Sequence, residues 1–416
     1  MEQGDLAWLA GQRIVDIDLG GDRLRQHFAR ILPEWATWPP FYVLHNGHPQ
    51  LVCCRYTDVV EVLEDSARFS TVRPADPAAG GFVQFKPDKF AAVETLPKME
   101  GERHGRIRRL IAPAFSAPAV QRLEDGIDRA LDNLIEAIPV VDGRFDLMPA
   151  FARELMVVAL LDTVLRLDGD QKAVFIRMNR ALPLTAKARP GEPFPEEYHA
   201  AFAATTETID QLIAARRARP GADLLSQLIL TRDGSDLLSD KELFDLIFTF
   251  SAAALESTAA SMGAIVLTLC RHPAVLAEVR ARPALIPSAV EEALRLHGPG
   301  YFIVTRYALV DTEIGGVPVP RGMPVYVSPQ AASYDPERYP DPLVFDLDRP
   351  NRRILTFGGG IHFCAGSRLA RLVLHRALDK LLARFPRLRL AEEDFAPRYF
   401  GAASEAQLVS LPLAVD

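Results

Sequence analysis

The chain contains few cysteines and shows no excess of basic residues. Its 416 residues include four cysteines, and 54 acidic residues stand against 47 basic ones, for a net charge of −7. Four cysteines in a chain of this length do not make a disulfide framework, and an acidic balance gives no footprint for nucleic acid. We therefore expect ordinary reduced cysteines and no nucleic-acid partner.

Signals for zinc binding and for secretion are also missing. The sequence has no CxxC pair and no HExxH, the spacings typical of zinc sites. The first residues, Met1-Glu2-Gln3-Gly4-Asp5, carry neither a basic segment nor a long apolar run, so they predict no signal peptide. These absences favour a cytoplasmic protein.

The apolar residues that are present follow mostly helical spacing. They recur every three or four residues from about 104 to 298, and a further helix is predicted over about 366–385. Thr57 is predicted to cap a short helix that begins at Asp58. Strands are predicted in three segments, 40–55, 300–330 and 390–415. Because both ends of the chain contribute strands to this small β portion, we expect one helix-rich domain over residues 1–416.

The longest predicted helix, 240–270, is apolar nearly all round and is expected to be buried. About 20 apolar residues can also span a bilayer, so a transmembrane helix is an alternative. Glu256 stands in the middle of the segment, and an ionised Glu at a bilayer centre costs about 3 kcal/mol on insertion scales. We therefore expect a central core helix and no membrane span.

A glycine-rich loop surrounds one cysteine, Cys364. It reads Phe357-Gly358-Gly359-Gly360-Ile361-His362-Phe363-Cys364-Ala365-Gly366 and runs directly into a predicted helix. Glycines allow tight turns and close approach of a ligand, and the N-terminus of a helix stabilises a thiolate. The chemistry alone leaves three interpretations open: a metal-ligating or reactive cysteine, a glycine-rich turn with a buried cysteine, or a phosphate loop. The Lys-Ser/Thr that ends phosphate loops is missing.

The loop resembles the haem-binding signature of the cytochrome P450 superfamily, Phe-Gly-x-Gly-x-His-x-Cys-x-Gly. Its fixed positions are Phe357, Gly358, Gly360, His362, Cys364 and Gly366. The resemblance covers about residues 40–415 and implies a soluble bacterial-type monooxygenase with Cys364 as the axial thiolate of haem b. It also implies the P450 fold, which is mainly α with small β-sheets. This triangular prism encloses the haem between the long central helix and the helix after the cysteine loop.

Other motifs of the family follow in the expected order. Glu292 and Arg295 resemble the Glu-x-x-Arg pair that is buried and braces the fold, with Arg338 as a candidate third member. The resemblance implies that four basic residues hold the haem propionates: His104, Arg108, Arg306 and His362. Taken one at a time, each of these four residues could instead be a solvated surface charge, and Glu292 and Arg295 could form an ordinary surface ion pair.

The central helix carries Ala253-Ala254-Leu255-Glu256-Ser257-Thr258, which resembles the family's Ala-Gly-x-Asp/Glu-Thr-Thr/Ser. The resemblance implies that Ala253 and Ala254 lie against the haem, and that Glu256 and Ser257 relay protons. Ala254 replaces the usual Gly and Ser257 the usual Thr. Serine keeps the hydroxyl but lacks the methyl that restricts χ1, so we expect looser control of proton delivery. The alternative is that Glu256 and Ser257 only satisfy a polar need inside the helix.

The resemblance implies that O₂ and a small-to-medium apolar organic substrate meet in a pocket opposite Cys364. Candidate pocket residues are Phe82, Phe85, Phe250, Ala253, Tyr301, Phe302 and Val304. Electrons are expected from an iron–sulfur ferredoxin with an NAD(P)H-dependent reductase, because the sequence shows no flavin fingerprint. Arginines implied on the docking face are Arg106, Arg109, Arg368 and Arg371.

Two other functions remain open at this point. A peroxygenase would use H₂O₂ in place of O₂ and electrons, and such enzymes usually lack the acid–alcohol pair that Glu256 and Ser257 form here. A non-catalytic haem-binding protein is the other alternative. The protein is expected to be a monomer.

Overall fold

The computed structural model describes residues 9–45, 48–74, 93–182, 184, 193–302, 305–350, 353–401 and 406–416. Three of the predicted pocket residues, Phe82, Phe85 and Val304, lie outside the described residues. The remaining candidate residues all lie within them.

Helices make up most of the described chain. The α-helices are α1 (Asp22–Trp35), α2 (Tyr56–Glu64), α3 (Gly101–Ile111), α4 (Ala117–Gln121), α5 (Glu124–Glu136), α6 (Gly169–Ala181), α7 (Glu196–Ala218), α8 (Leu224–Leu230), α9 (Asp240–Cys270), α10 (Pro273–Ala281), α11 (Ile286–Leu296), α12 (Pro329–Ala332) and α13 (Ser367–Arg384). Two π-helical segments, Met148–Ala152 and Val157–Val164, stand where the sequence predicts another helix.

The strands are short. They are β1 (Ile14–Val15), β2 (Phe41–His45), β3 (His48–Cys53), β4 (Phe69–Ser70), β5 (Arg144–Asp146), β6 (Arg306–Ala308), β7 (Thr312–Ile314), β8 (Val317–Val319), β9 (Pro324–Val327), β10 (Arg389–Leu390), β11 (Tyr399–Phe400), β12 (Gln407–Leu408) and β13 (Pro412–Ala414). The largest sheet has the order β1-β2-β3-β9-β6-β4, and a second sheet has the order β10-β13-β5. Both sheets pair strands that are far apart in the sequence.

Helix α9 begins and ends where the sequence predicts. Ser239 and Glu242 form a capping box, in which the Glu242 carboxylate accepts the Ser239 N–H at 2.9 Å. The helix is long and apolar enough to cross a membrane, but 67% of its most apolar window is buried inside the protein. It packs against α6, α7, α11 and α13, as a core helix does.

Helix α2 begins two residues earlier than predicted, and Thr57 is not its cap. The N–H of its first residue, Tyr56, donates instead to the Asp335 carboxylate at 2.8 Å. Asp335 is buried and lies far away in the sequence. The prediction was wrong because local propensity cannot show a hydrogen-bond acceptor that only the tertiary fold supplies.

Candidate functional site

The loop that carries Cys364 is folded by backbone conformations that favour glycine. Gly358 and Gly360 have φ angles of +73° and +60°, in the left-handed region that residues with a Cβ rarely adopt. A Cβ on Gly360 would also collide with the carbonyl oxygen of Leu63 in α2. The Cys364 N–H donates to the Phe357 carbonyl oxygen at 2.9 Å and closes the loop. These constraints hold the cysteine just before α13.

Cys364 is an exposed residue although protein atoms lie close around its sulfur. The residue is exposed, while burial of the sulfur raises the pKa of the thiol above its ordinary value. A backbone hydrogen bond from Gly366 and the positive charges of Arg108 and Arg371 lower the same pKa. One hydrogen bond and two positive charges thus oppose the effect of burial and favour the thiolate, which is the form that binds a metal. No group of three or more His, Cys, Asp or Glu among the described residues could hold a metal ion such as zinc.

Four basic side chains from three parts of the chain lie beside this loop. His104 and Arg108 come from α3, Arg306 from β6, and His362 from the loop itself. His104 and Arg306 are 3% and 4% exposed, and the rings of His104 and His362 have centroids 4.6 Å apart. Arg108 donates to the carbonyl oxygen of Phe363 at 2.8 Å. We refer to His104, Arg108, Arg306 and His362 as the basic cluster.

Burial makes positive charge on the basic cluster unfavourable. Burial lowers the pKa of Arg306 to about 10 and that of His362 to about 4, and it is also the largest cause of the lowered pKa of His104. Glu100 is the acid that faces the cluster, with Oε1 3.3 Å from His362 Nε2. Among the described residues, the buried Nε2 of His104 has no hydrogen-bond partner. The cluster is therefore suited to receive further carboxylates.

These features together fit a haem. Its two propionates would provide carboxylates for the basic cluster, and its iron would take the Cys364 sulfur. Gly366 adds a steric observation, since a Cβ built on it would meet no atom within 4 Å. The chain thus leaves open space beside the loop on the side where α13 begins.

The middle of α9 is open, in contrast to the buried segments on either side. Ala253 is exposed and Ala254, Glu256 and Ser257 are half-buried, whereas Thr258 is buried. The Ser257 hydroxyl donates to the Ala253 carbonyl oxygen at 2.7 Å. The structure therefore presents the hydroxyl of Ser257, and not that of Thr258, on the open stretch.

Comparison with known families shows which family the chain belongs to. The family model described as Cytochrome P450 matches residues 37–282 and 284–405. The chain is a cytochrome P450. Membership implies a haem-iron cofactor, and the named activities of relatives identify the chain as a P450 monooxygenase, an oxidoreductase.

Relatives of this P450 cover most of its length. Nocardicin C N-oxygenase from Nocardia uniformis subsp. tsuyamanensis is 36% identical over 84% of this chain and 85% of its own. Mycinamicin IV hydroxylase/epoxidase from Micromonospora griseorubida is 34% identical over 90% of this chain and 89% of its own. The ligand-free P450 monooxygenase TamI has a TM-score of 0.84 at 28% identity, covering 99% of this chain and 96% of its own. The predicted P450 fold is confirmed.

The Glu-x-x-Arg pair of this P450 is completely buried. Arg295 Nε and Nη2 donate to the two carboxylate oxygens of Glu292 at 2.9 and 2.8 Å, and both side chains are 0% exposed. Arg295 also donates to the carbonyl oxygens of Ser333 and Pro342, each at 2.7 Å. The pair therefore ties α11 to the segment that leads toward the cysteine loop.

The third member of this network is Arg349, and the prediction of Arg338 was wrong. Arg349 Nε donates to Glu292 Oε1 at 2.9 Å, while the Arg338 guanidinium lies over the rings of Tyr56 and Tyr339, 5.0 and 5.5 Å from their centroids. The chain folds back after residue 340, so a residue later in the segment reaches Glu292. Sequence spacing alone gave no signal for that reversal.

The described aromatic pocket candidates differ in their surroundings. Phe250 on α9 is half-buried and meets Phe115 edge to face, with centroids 5.1 Å apart. Tyr301 stacks on Phe28 of α1 at 5.4 Å, and Phe302 meets Tyr326 edge to face at 6.1 Å. Because Tyr301 and Phe302 are 1% and 2% exposed, neither ring lies at an open surface of this structure.

The arginines expected on the docking face are mostly paired within the chain. Arg106 binds Asp236 and Glu242, and Arg371 binds Glu291, each at 2.6 Å, and Arg109 lies 3.2 Å from Asp233. Arg368 is exposed at the start of α13. Sequence reasoning missed the acidic partners because they belong to distant segments.

Proposed function

We propose that this P450 binds haem b through Cys364, takes two electrons from an iron–sulfur ferredoxin and its NAD(P)H-dependent reductase, and oxidises a small-to-medium apolar organic substrate. The observation that carries the proposal is an exposed cysteine, just before a helix, beside four basic side chains of which His104 and Arg306 are buried. The haem supplies activation of O₂ and insertion of one oxygen atom into the substrate. We also propose one domain over residues 1–416 and a monomer in the cytoplasm.

The chain's own residues then have distinct tasks. The basic cluster orients the propionates through charge-assisted hydrogen bonds. The Gly366 N–H and the positive charges near Cys364 stabilise negative charge on the sulfur. Ala253 and Ala254 leave room above the open stretch of α9, and Phe250 adds an apolar surface on the same helix. Glu256 and Ser257 hold exchangeable protons on that stretch.

The substrate class is suggested by relatives. Their names include a hydroxylase of 6-deoxyerythronolide B, a mycinamicin IV hydroxylase/epoxidase and a nocardicin C N-oxygenase. We propose that the substrate here is an organic compound related to those in these names. A library of such compounds, screened for the conversion of the haem to high spin on binding, would identify it.

Replacing Ser257 with alanine is expected to reduce the coupling, which is the amount of product formed per NAD(P)H consumed. It should also slow product formation by about tenfold or more. A positioned side chain that transfers a proton contributes about 10²- to 10⁴-fold, and water can replace part of that effect. Ser257→Thr keeps the hydroxyl and restricts χ1, so coupling should be at least that of the wild type. Product and NAD(P)H are measured in the same reaction.

The control for this prediction is Thr258→Val, which removes the adjacent hydroxyl from a buried position off the open stretch. Its coupling should match the wild type. Unchanged rate and coupling in Ser257→Ala would show that the proton relay does not use this residue.

The surface around Cys364 has the composition of a docking site for an acidic electron donor. Ile361 and Phe363 are each 40% exposed and flank the cysteine in sequence. Arg368 follows on the first turn of α13 and is exposed. Because Arg106 and Arg371 already bind acids of the same chain, we assign the larger steering role to Arg368.

Replacing Arg368 with glutamate is expected to slow reduction of the haem by ferredoxin about tenfold at low ionic strength. Charges at the rim of an interface act mainly on the association rate, and salt screens them over about 10 Å at 0.1 M. The rate is followed as formation of the ferrous carbon-monoxide complex. Arg384→Glu, at the far end of the same helix, should reduce normally, and equal rates for the two variants would rule out docking at Arg368.

Paired turnover assays test the proposed function against a peroxygenase. The protein is supplied with substrate and either ferredoxin, reductase and NAD(P)H, or H₂O₂ alone. Product in the first assay supports the monooxygenase with its proposed electron donor. Product with peroxide and none with ferredoxin would overturn it in favour of the peroxygenase, and no product in both, despite a spin shift with substrate, would favour a haem-binding protein.

A further inference from the structure

Arg371 joins three elements around the cysteine loop. It lies on α13, and its Nε and Nη2 donate to the two carboxylate oxygens of Glu291 on α11, at 2.6 and 3.1 Å. Its guanidinium carbon lies 4.2 Å from the ring centroid of Phe357, the first residue of the loop. The arginine therefore has one face on an aromatic ring and one edge on a carboxylate.

This geometry fixes the orientation of the guanidinium. A bidentate contact with a carboxylate defines the plane of an arginine, which a lysine cannot reproduce. A cation within about 6 Å of a ring face is attracted to it, so the ring and the carboxylate hold Arg371 from two directions. The side chains of Arg371 and Glu291 are 30% and 18% exposed, so water screens the pair only in part.

The arrangement is linked to the cysteine both through the backbone and through charge. The Phe357 carbonyl oxygen accepts the Cys364 N–H at 2.9 Å, so the residue beneath the guanidinium is paired with the cysteine. The positive charge of Arg371, held over Phe357, is thereby placed beside the loop that carries the cysteine.

We propose that Glu291 is a positioning residue that holds Arg371 over Phe357, and that this arrangement raises the reduction potential of the haem iron bound by Cys364. The inference rests on the proposed haem ligation. A fixed positive charge near an iron–thiolate unit favours the reduced state, which carries one more negative charge. Glu291 therefore acts by holding Arg371 in place. Its own negative charge acts in the opposite direction, and we take that effect to be the smaller one.

The sign of the shift in potential separates positioning from simple charge. Arg371→Met removes the cation and should shift the potential to more negative values. Glu291→Ala should shift it in the same direction, because Arg371 loses its anchor and moves into solvent. If Glu291 acted only as a counter-charge, its removal would shift the potential to more positive values.

The experiment measures the potential of each haem-loaded variant by redox titration, together with the Soret band of the ferrous carbon-monoxide complex. Glu291→Gln, which keeps one acceptor oxygen, should give a smaller negative shift in potential. This variant keeps the experiment decisive if Glu291→Ala fails to fold. In an Arg371→Met background, Glu291→Ala should cause little further shift, because its effect passes through Arg371. Arg371→Lys should resemble Arg371→Met more than the wild type.

The matched control lies on the same helix. Arg376 makes a bidentate pair with Asp128, and the side chains of Arg376 and Asp128 are 36% and 18% exposed. Arg376→Met and Asp128→Ala should leave the potential unchanged. An unchanged or more positive potential in Glu291→Ala, with an intact thiolate spectrum, would overturn the positioning role, whereas a wild type without a thiolate spectrum would overturn the haem ligation itself.

Discussion

Replacing Glu292 with alanine is expected to lower the free energy of unfolding by about 3–5 kcal/mol and to prevent normal haem loading. Removing one partner of a buried ion pair leaves the other charges buried without compensation, which costs about that much. Here two cations, Arg295 and Arg349, lose the same carboxylate. Denaturant unfolding followed by circular dichroism gives the free energy, and the ratio of haem to protein gives the loading.

Arg349, the third member of the Glu292–Arg295 network, and Arg338, which lies outside it, provide the control for this prediction. Arg349 is almost fully buried and donates to Glu292, whereas Arg338 lies on the rings of Tyr56 and Tyr339. Arg349→Met should therefore destabilise the protein much more than Arg338→Met, whose cation–π contacts are worth about 0.5–2 kcal/mol. Equal losses in the two variants would contradict the network as described.

The same site predicts a dependence of stability on pH. Burial raises the pKa of Glu292, but the hydrogen bonds and charge of Arg295, with hydrogen bonds from Arg349 and the Asp346 N–H, outweigh it. The folded pKa therefore lies below the ordinary value of 4.5. A carboxylate with a lowered folded pKa contributes stability above its unfolded pKa, and this contribution is lost as pH falls through the folded value. The Glu292→Gln variant has no carboxylate to protonate at this position. Its free energy of unfolding should therefore fall less than that of the wild type as the pH drops below about 4.5.

Features encoded by neighbouring residues could be predicted from the sequence. The bounds of α9 follow from the Ser239–Glu242 capping box and an apolar pattern that ends at Cys270. The cysteine loop follows from glycines at positions that need positive φ. Each depends on interactions within a few residues, so spacing was sufficient.

Features that depend on distant segments could not be predicted in the same way. Arg349 reaches Glu292 only because the chain reverses direction after residue 340, and Asp335 caps α2 from an equally distant segment. The pairing of Arg371 with Glu291 turned an expected docking cation into a partner of the cysteine loop. Arginines and carboxylates are common on any surface, and nothing in their local sequence marks which ones meet.

Replacing Cys364 with serine is expected to abolish substrate oxidation by NAD(P)H and ferredoxin. A thiolate donates more electron density to iron than an alcohol does, and this donation favours cleavage of the O–O bond. The fold should survive, because Cys364 is exposed and its N–H, which closes the loop on Phe357, is unchanged. Circular dichroism and the ratio of haem to protein show whether the variant still folds and loads.

The spectrum of the reduced, carbon-monoxide-bound protein tests the central claim most directly. The wild type should show the strongly red-shifted Soret band of thiolate-ligated haem, and Cys364→Ser should lose that shift while still binding haem through the basic cluster. A wild type without the red-shifted band, or a Cys364→Ser variant that keeps it, would contradict the assignment of Cys364 as the iron ligand.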